Sequence, residues 1–264
     1  FESVHVLHPR ANRGQDEPLS GLLIGKEVAA VARRGKFMWL EFVGEDSMDP
    51  HRDVLFIHLG MSGQMLVGDP WACTSKHMRI RSELTLPDGE MRELAFVDQR
   101  TFGRWLYTET TDDGVPIPAA HIAHDPLEDG FDIAATARRI RQSTSPIKTV
   151  LLNQEIVSGI GNIYADEALW LAGIKPTRRS KVLRQRDVVA LLDASQEVMS
   201  RALEAGGTSF DSLYVNVNGA SGYFSRSLNA YAQTGKPCPR CGTPIVRTSI
   251  NNRSSHFCPT CQVI

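Results

Sequence analysis

The sequence of 264 residues has no apolar run of the length that crosses a membrane. A transmembrane helix needs about 20 consecutive, mostly apolar residues. No secretory segment opens the chain either, so we predict a cytoplasmic protein with no membrane partner. Hydrophobic residues still make up 42% of the chain, which is ample for one or two packed domains.

The chain also has almost no net charge, with a formal value of −1. This value excludes a protein that is basic throughout. Acidic residues are missing altogether from Ser212 to the C-terminus, where five cations lie: Arg226, Lys236, Arg240, Arg247 and Arg253. A basic tail on a neutral chain indicates contact with phosphates. A small structural module with a solvated surface would show the same charges, and the tail alone leaves both interpretations open.

Cysteine is scarce, with five in the whole chain, and four of them lie near the C-terminus. Cys238 and Cys241 form one C-x2-C pair, and Cys258 and Cys261 form the second. The spacing is typical of a four-cysteine zinc site, because each tight pair offers two corners of a tetrahedron. Two disulfides are the alternative, which the lack of a secretory segment disfavours. Cys73 lies far from both pairs and is interpreted as a lone thiol.

The residues between the two cysteine pairs predict a β-hairpin. Val246, Thr248 and Ile250 alternate with polar residues as in a strand, and a second short strand is expected around Phe257. Adjacent asparagines favour a turn between them. We therefore place the tip of the hairpin near Asn252-Arg253.

The first half of the chain predicts strands. Short segments rich in Val, Leu, Ile and aromatic residues are separated by Gly, Pro or Asp. They cover residues 27–33, 36–42, 54–58, 78–86, 90–97 and 104–108. The opening residues also alternate like a strand, and Pro87-Asp88-Gly89 is typical of a hairpin turn. Six strands without intervening helices favour a sandwich or a small barrel.

A polar, proline-rich stretch at residues 110–123 is the best candidate for a domain boundary. Helix signals follow it, with Asp132 as an N-cap, Pro146 at a first turn and Gly173 as a stop. The predicted helices cover residues 133–142, 146–153, 162–172 and 184–205. A long polar loop at residues 208–224 comes next, and loops of that length are usually functional or disordered.

A glycine-rich segment, Gly159-Ile-Gly-Asn162, opens the third predicted helix. Backbone N–H groups at a helix N-terminus bind phosphate, and Asn162 could cap that end. The pattern alone is weak, because a dinucleotide-binding fold would need a preceding strand and a third glycine. A basic cluster follows the helix and could equally be a solvated face: Lys175, Arg178, Arg179, Lys181, Arg184 and Arg186.

Several short motifs now stand in a recognisable order. They are Arg34-Gly-Lys36, His58-Leu-Gly-Met61-Ser-Gly, Asp98-Gln-Arg100-Thr-Phe102-Gly, Ser158-Gly-Ile-Gly-Asn-Ile-Tyr-Ala-Asp-Glu167, Gly206-Gly-Thr208 and Gly222-Tyr-Phe224. The chain resembles bacterial formamidopyrimidine-DNA glycosylases in all of them and in its closing four-cysteine hairpin. The resemblance implies an α+β fold with an N-terminal β-sandwich (residues 1–110), a helix–two-turns–helix domain (111–232) and a zinc finger (233–264).

The resemblance implies catalytic roles for Lys36 and Arg253. Lys36 resembles a lysine that contacts phosphate near the lesion and assists β-elimination, and Arg253 resembles the zinc-finger arginine that assists the second elimination. Met61, Arg100 and Phe102 resemble the wedge that fills the gap left by an extruded base. Extrusion costs a few kcal/mol, which inserted side chains partly recover. Without the family, Lys36 would be an ordinary strand-edge lysine, and Met61 and Phe102 would be core residues.

Further contacts follow from the same resemblance. Lys148 and Asn162 resemble phosphate ligands of the helical domain, and His77 resembles a DNA-contacting histidine. The loop of residues 208–224 resembles the segment that covers an extruded 8-oxoguanine, and its singled-out residues are Thr208, Tyr223 and Phe224. One structural zinc is implied, with the ligands Cys238, Cys241, Cys258 and Cys261.

The start of the chain departs from the family. Members begin Pro-Glu, where the proline amine forms a Schiff base with the deoxyribose and the glutamate works as acid and base. Phe1-Glu2 does not match that pair, because the residues after it resemble the family's first strand. We expect about two dozen residues, the size of a nucleophile segment and one helix, to precede Phe1. A protein that lacks its nucleophile is the alternative.

The implied function is base-excision repair by a monomeric DNA glycosylase and AP lyase. Such an enzyme removes 8-oxoguanine and formamidopyrimidines from duplex DNA by base flipping, Schiff-base formation and β,δ-elimination. Its partner is double-stranded DNA with oxidised bases or abasic sites, and its location is the bacterial nucleoid. One alternative is an endonuclease VIII-like enzyme for oxidised pyrimidines, which the long loop ending in Gly-Tyr-Phe disfavours. The other is a non-catalytic protein that binds damaged DNA.

Overall fold

The structure, a computed structural model, describes residues 1–44, 51–207 and 224–264. These residues form two compact units. One lies within Phe1–His121, and the other contains residues 122–207 and 224–264. The division falls inside the polar stretch of residues 110–123. Among the described helices, none has both the length and the apolar character needed to span a bilayer.

Two antiparallel four-stranded sheets and one short helix build the first unit. The elements are β1 (Ser3–Val6), α1 (Leu19–Leu23), β2 (Val28–Arg34), β3 (Phe37–Phe42), β4 (Asp53–His58), β5 (Gly63–Gly68), β6 (Met78–Thr85), β7 (Met91–Asp98) and β8 (Arg104–Glu109). One sheet has the order β1-β6-β7-β5 and the other β2-β3-β4-β8. Two separate sheets decide between the expected alternatives in favour of the sandwich.

A single hydrophobic core lies between the sheets. Leu55, Ile57 and Trp105 of one sheet and Ile80 and Phe96 of the other are all 0% exposed. The rings of Phe96 and Trp105 have centroids 6.3 Å apart. Burying a large apolar side chain is worth about 1.5–3 kcal/mol, so this layer stabilises the sandwich. The two terminal leucines of α1 join the same core.

The six strands predicted from the sequence are all present, with bounds that differ by no more than one residue. β1 matches the alternation of the opening residues. β5 was missed, because Gly63 and Gly68 flank a run too short to give a clear pattern. The predicted hairpin turn between β6 and β7 is confirmed: Gly89 has a φ of 85°, and Leu86 N donates to Glu90 O at 2.8 Å.

Four helices form the main body of the second unit: α2 (Ile133–Arg141), α3 (Ile147–Leu151), α4 (Asn162–Ala172) and α5 (Gln185–Glu204). The predicted N-cap of α2 is confirmed, since Asp132 Oδ1 accepts a hydrogen bond from Ala135 N at 2.8 Å. Gly173 ends α4 in the left-handed conformation with a φ of 70°, as expected. Apolar faces of the helices meet in one core that includes Ile140, Ile147, Leu169, Val188, Leu191 and Leu192.

A β-hairpin completes the second unit, with strands β9 (Val246–Ile250) and β10 (Arg253–Phe257). Asn251 and Asn252 form the turn at φ values of 48° and 59°. Asparagine tolerates this left-handed region, and paired strands favour such turns. The tip therefore lies one residue earlier than predicted, and Arg253 is the first residue of β10.

Candidate functional site

Two turns of the first unit carry exposed apolar side chains. Met61, between β4 and β5, is 55% exposed, and Phe102, between β7 and β8, is 40% exposed. The Arg100 guanidinium carbon lies 5.0 Å from the centre of the Phe102 ring. The interpretation of Met61 and Phe102 as core residues is therefore wrong. Both project into solvent, where they could reach a binding partner.

These turns touch backbone to backbone, which requires glycine. Gly60 has a φ of +64°, and a Cβ at this position would lie 2.7 Å from Gly103 N. A Cβ on Gly103 would in turn lie 2.7 Å from His58 O. A side chain at either position would force the turns apart. The two glycines thus bring together the segments that carry Met61 and Phe102.

A buried carboxylate that sequence analysis missed joins the same turns. Asp98, the last residue of β7, is 0% exposed. It accepts hydrogen bonds from Ser62 Oγ at 2.5 Å and from Gly103 N at 2.7 Å. A signal was available, because an aspartate at the start of a turn commonly accepts backbone N–H groups.

His77 is tied to this cluster. The half-buried residue lies just before β6, and its carbonyl accepts a hydrogen bond from Asp98 N at 2.9 Å. Arg79 Nη2 lies 3.4 Å from His77 Nδ1, while Arg79 Nε donates to Asp98 O at 2.7 Å. The predicted DNA-contacting histidine and the predicted wedge turns therefore share one set of hydrogen bonds.

His58 ends β4 beside the first of these turns. Burial lowers the pKa of His58, and the positive charges of Arg104 and Arg13 lower it further, while Asp98 opposes them. The imidazole is consequently neutral at neutral pH.

Lys36 lies in the two-residue turn between β2 and β3, next to Gly35 with its φ of 56°. The turn explains why β3 begins at Phe37 instead of Lys36. The lysine is exposed at a hairpin tip and is not part of a strand edge. Lysine is one of the side chains that contact nucleic-acid phosphates, and an exposed lysine can reach a ligand in solution.

Lys148, in contrast, is 0% exposed. Its Nζ donates to Asp166 Oδ1 at 2.6 Å and to Ser254 O at 2.7 Å. Burial lowers the pKa of Lys148, and Asp166 opposes this effect. The expected direct contact with a phosphate does not fit this position, because the ammonium would have to leave a buried carboxylate to make it. Lys148 instead joins α3 to α4 and β10.

Asn162 is the first residue of α4 and not its cap. Gly161 occupies the N-cap position, and no side chain caps the helix. The cap prediction is wrong because the Asn162 amide turns to the hairpin, where Nδ2 donates to Ser254 O at 3.1 Å. Asn162 still lies half-buried at a helix N-terminus, where the backbone N–H groups favour anions.

Arg253 is exposed at the start of β10, and the strand behind it is firmly held. The buried Asp166 carboxylate accepts hydrogen bonds from Ser255 Oγ at 3.0 Å and from His256 N at 2.8 Å. His256 Nδ1 lies 3.1 Å from the same carboxylate. The arginine therefore projects from a fixed backbone position.

The four predicted zinc ligands meet in one cluster, with all four sulfur atoms of Cys238, Cys241, Cys258 and Cys261 within 4.8 Å of one another. Cys238 Sγ lies 3.9 Å from Cys261 Sγ, and Cys241 Sγ lies 3.5 Å from Cys258 Sγ. Zn–S bonds of the usual length place tetrahedral sulfurs about 3.8 Å apart, so the cluster fits one structural zinc. None of the four is in a disulfide, and Cys73 is also a free thiol.

The pKa values of Cys238 and Cys241 are lowered, whereas burial raises that of Cys258 and the hydrogen bond with Cys241 raises that of Cys261. Hydrogen bonds from Thr243 lower the pKa of Cys241 to about 6, so a thiolate is present at neutral pH. Trp170 Nε1, on α4, donates to Cys238 Sγ at 3.4 Å. Outer hydrogen bonds of this kind orient metal ligands.

Glu167 on α4 fixes the segment that leads into the zinc hairpin. It is 2% exposed and accepts hydrogen bonds from Ala230 N and Tyr231 N, both at 2.8 Å. Sequence analysis assigned no role to Glu167 or to its neighbour Asp166. The signal was an acidic pair inside an otherwise apolar helix, because buried charges need partners.

Two residues of the predicted capping loop, Thr208 and Tyr223, lie outside the described residues. Phe224 is 3% exposed and packs against Val198, with its ring centroid 6.1 Å from that of Tyr164. Its expected place in an exposed cap needs correction, because burial in an apolar cluster stabilises an aromatic side chain of this size. Phe224 serves as an anchor at the end of the segment.

Three family models match the chain. "Formamidopyrimidine-DNA glycosylase N-terminal domain" matches residues 1–105, and "Formamidopyrimidine-DNA glycosylase H2TH domain" matches residues 122–213. "Zinc finger found in FPG and IleRS" matches residues 235–263.

Curated relatives match over nearly the whole chain. The protein named formamidopyrimidine-DNA glycosylase from Corynebacterium aurimucosum is 55% identical over 262 residues, which cover 99% of this chain and 88% of the relative. The protein of the same name from Corynebacterium urealyticum is 54% identical over 274 residues, which cover 99% and 92%.

Solved structures of the Lactococcus lactis protein Fpg match as well. A complex of that protein with DNA containing an abasic site has a TM-score of 0.83 at 30% identity. A complex of the wild-type protein with DNA containing an oxidised pyrimidine gives the same two values. Each match covers 100% of this chain and 92% of the other.

Proposed function

This chain belongs to the formamidopyrimidine-DNA glycosylase family, and we propose that it excises oxidised purines from duplex DNA and then nicks the strand as an AP lyase. The proposed substrates are 8-oxoguanine and formamidopyrimidines, and abasic sites are substrates of the second activity. Chromosomal DNA is then the partner, which puts the enzyme at the bacterial nucleoid.

The exposed pair Met61 and Phe102 is the observation that carries this proposal. Exposed apolar side chains that lie together, as on these two touching turns, can mark a binding surface. Enzymes that act on a base extrude it from the stack at a cost of a few kcal/mol. Side chains that enter the vacated space recover part of that cost. We assign this role to Met61 and Phe102, with Arg100 beside the Phe102 ring.

We assign phosphate contacts to exposed or half-buried donors: Lys36 at its hairpin tip, Arg253 at the start of β10 and Asn162 at the N-terminus of α4. His77 is a fourth proposed contact. Lys148 has an indirect role, because its ammonium holds the Ser254 carbonyl directly after Arg253. Lys36 and Arg253 are also the residues proposed to assist the two eliminations, by holding phosphates and moving protons.

The zinc supplies no reaction step in this proposal. When bound, it ties the two ends of the hairpin through the four cysteines. The chain itself then aims Arg253 by the contacts of β10 with Asp166 and Lys148. Schiff-base chemistry requires an amine nucleophile, which the family resemblance assigns to an N-terminal proline.

Oxidised pyrimidines are a second candidate substrate class. The Lactococcus lactis protein has been solved with DNA containing such a base. The residues that would distinguish the two classes belong to the loop of residues 208–224, of which only Phe224 is described. The substrate test should therefore include both classes.

The test compares duplexes that carry 8-oxoguanine, an oxidised pyrimidine or no damage. The protein expressed from its own gene should release the oxidised purine and nick that strand faster than the others. Borohydride, which reduces a Schiff base, should cross-link the protein to damaged DNA. Preference for the pyrimidine would support the second candidate, and the absence of both excision and cross-linking would refute the enzyme proposal.

A salt titration tests the phosphate contact of Arg253. The slope of log K against log salt should become shallower by about 1 in Arg253→Ala, because one counterion fewer is released. Arg201→Ala is the matched control, since this α5 arginine pairs with Glu197 at 3.9 Å and has no proposed DNA contact. Equal slopes for wild type and Arg253→Ala would contradict the assignment.

A further inference from the structure

We infer that Asp98 is the positioning residue of the wedge: its buried carboxylate fixes two exposed turns to each other and thereby sets the discrimination between damaged and intact duplex. The inference rests on the proposed function, because it concerns how the proposed wedge is held. Asp98 itself is 0% exposed and does not reach DNA.

The hydrogen bonds of Asp98 span both turns. Oδ1 accepts from Ser62 Oγ at 2.5 Å and from Arg100 N at 3.1 Å, while Oδ2 accepts from Gly103 N at 2.7 Å. Arg100 N also lies 3.0 Å from Ser62 Oγ, which closes a triangle of polar contacts. One carboxylate therefore binds Ser62, which follows Met61. It also binds Arg100 and Gly103, which flank Thr101-Phe102.

The main chain of Asp98 adds a third segment. Its N–H donates to His77 O at 2.9 Å, and its carbonyl accepts from Arg79 Nε at 2.7 Å. Asp98 thus bonds to His77 itself, to Ser62 beside Met61 and to Gly103 beside Phe102. The partners of its side chain satisfy the buried carboxylate of Asp98, as buried polar groups require.

The second turn has an outer support as well. Arg13 Nη2 donates to Phe102 O at 2.7 Å, and Arg13 Nη1 donates to Gly103 O at 3.1 Å. These bonds hold the main chain of the Phe102 turn but do not involve the Met61 turn. Asp98, in contrast, bonds to both turns, so it determines their spacing.

Spacing matters because two side chains on separate turns must enter one disrupted base stack together. Affinity for intact duplex comes mainly from phosphate contacts, which do not depend on the wedge. Loss of the Asp98 bonds should therefore lower affinity for damaged duplex and leave affinity for intact duplex nearly unchanged. A residue that only stabilises the fold would change both affinities in the same proportion.

Asp98→Asn is the sharpest variant, because it keeps the shape and changes the hydrogen-bonding pattern. An amide has only one acceptor oxygen. Whichever way the amide is turned, its NH2 group meets the N–H of Arg100 or of Gly103. Two donors then oppose each other, and the turn that carries Phe102 loses one of the bonds by which Asp98 holds it beside Ser62.

Glu93→Gln is the matched control. Glu93 lies on the same strand, is 3% exposed and also holds a loop, through Cys73 N at 3.1 Å and Arg81 Nε at 2.8 Å. The bonds of its carboxylate go to Cys73 and Arg81, which belong to neither wedge turn. Glu93→Gln should reduce stability without reducing discrimination between duplexes.

The experiment measures Kd for two short duplexes, one intact and one with a tetrahydrofuran abasic analogue beside a 2-aminopurine. Fluorescence of the 2-aminopurine reports the unstacking that accompanies wedge insertion. In Asp98→Asn the Kd ratio, defined as Kd for intact duplex divided by Kd for abasic duplex, should fall by about tenfold, as the loss of one buried hydrogen bond implies. The fluorescence change should also shrink. Glu93→Gln should keep both. Circular dichroism and thermal melting confirm that each variant is folded.

Ser62→Ala covers the case in which Asp98→Asn fails to fold. It removes one donor to Oδ1 and leaves the carboxylate in place, so the Kd ratio should fall by a smaller factor, about two- to fivefold. The inference about Asp98 is wrong if wild type prefers the abasic duplex and the Asp98→Asn variant prefers it equally. Ser62→Ala decides in the same way if Asp98→Asn does not fold. If wild type shows no preference, the proposed function fails, and this inference fails with it.

Discussion

The two compact units each hold their exposed site residues with a buried aspartate, but they do so with different chemistry. Asp98, in the sandwich, accepts its bonds from a hydroxyl and two backbone N–H groups. Asp166, in the helical unit, is paired with the buried ammonium of Lys148 and lies beside the imidazole of His256. The first joins two neighbouring turns, and the second joins helices to a hairpin about 90 residues away in sequence.

The difference separates positioning from stability. The donors around Asp98 are neutral, so loss of the carboxylate leaves no unpaired charge in the interior, and the sandwich should survive that change. Lys148 has no such freedom, since an unpaired charge in the interior is costly. The helical unit therefore combines stability and positioning in one ion pair, while the sandwich obtains stability from its apolar core and uses Asp98 for the wedge.

We expect the largest effect from a change that removes the zinc site of the helical unit. Cys258→Ser removes a zinc ligand, and structural zinc contributes about 10–16 kcal/mol in zinc-finger peptides. The hairpin should unfold and DNA affinity should drop strongly, whereas the sandwich and most of the helical circular dichroism persist. Cys73→Ser, at a free thiol outside the cluster, is the control. Metal analysis that still finds one zinc per Cys258→Ser chain would contradict the assignment.

The next effect concerns the ion pair itself. Asp166→Asn leaves the Lys148 ammonium buried without its carboxylate, which should lower the free energy of unfolding by about 3–5 kcal/mol. Urea denaturation followed by helical circular dichroism measures the loss. Arg253 should lose its fixed position at the same time, so DNA affinity should fall as well.

A double variant sharpens this test. Lys148→Met in the Asp166→Asn background removes the unpaired charge and should restore more than half of the lost stability. DNA affinity should remain low, since the contact between Lys148 and the Ser254 carbonyl is also gone. If the single variant melts like wild type, the pair contributes nothing measurable, and the contrast with Asp98 disappears.

The same contrast shows what could be predicted from sequence. Strands, helices, the Asp132 cap and the zinc ligands all depend on residues close together in sequence, and these predictions are confirmed. The partners of Lys148 could not be predicted, because Asp166 and Ser254 approach it only in the folded unit. The assignment of Lys148 to phosphate depended on the resemblance to a family that binds DNA.

The exposure of the Met61 and Phe102 side chains could not be predicted from the local sequence pattern either. Met61 and Phe102 are apolar and lie near strands, so periodicity alone predicts a core position. Two features of the fold override it: the left-handed Gly60 and the backbone contact with Gly103 turn the side chains outwards. Only the resemblance to a family indicated the correct environment.

Phe102→Ala should have an intermediate effect, and it should fall on binding. The ring is already 40% exposed, so stability should change by no more than about 1 kcal/mol. Affinity for abasic duplex should fall by about tenfold, because stacking of an aromatic side chain on a base is worth about 1–3 kcal/mol. Phe96→Ala is the matched control, with a buried ring whose loss should cost about 3–5 kcal/mol of stability. A large stability loss in Phe102→Ala with unchanged affinity would show that Phe102 is a core residue.

The smallest expected effect compares two histidines with opposite neighbours. His256 lies beside the Asp166 carboxylate, whereas His58 lies among positive charges. Burial lowers the pKa of His58, and Arg104 and Arg13 lower it further against the opposing charge of Asp98. The folded sandwich therefore takes up this proton less readily than the unfolded chain, in which histidine has a pKa of about 6.5.

The sign of the pH dependence follows directly. Stability from neutral His58 is fully present above about pH 6.5 and is lost as the pH falls below that value towards the lowered pKa. Urea denaturation of wild type at pH 7.5, 6.5 and 5.5 should show a modest decline, and His58→Gln should decline less, since glutamine does not titrate. His5→Gln, at an exposed histidine of β1, should follow wild type. If His58→Gln loses as much stability on acidification as wild type, then burial and the charges of Arg104 and Arg13 do not lower the pKa of this imidazole enough to affect stability.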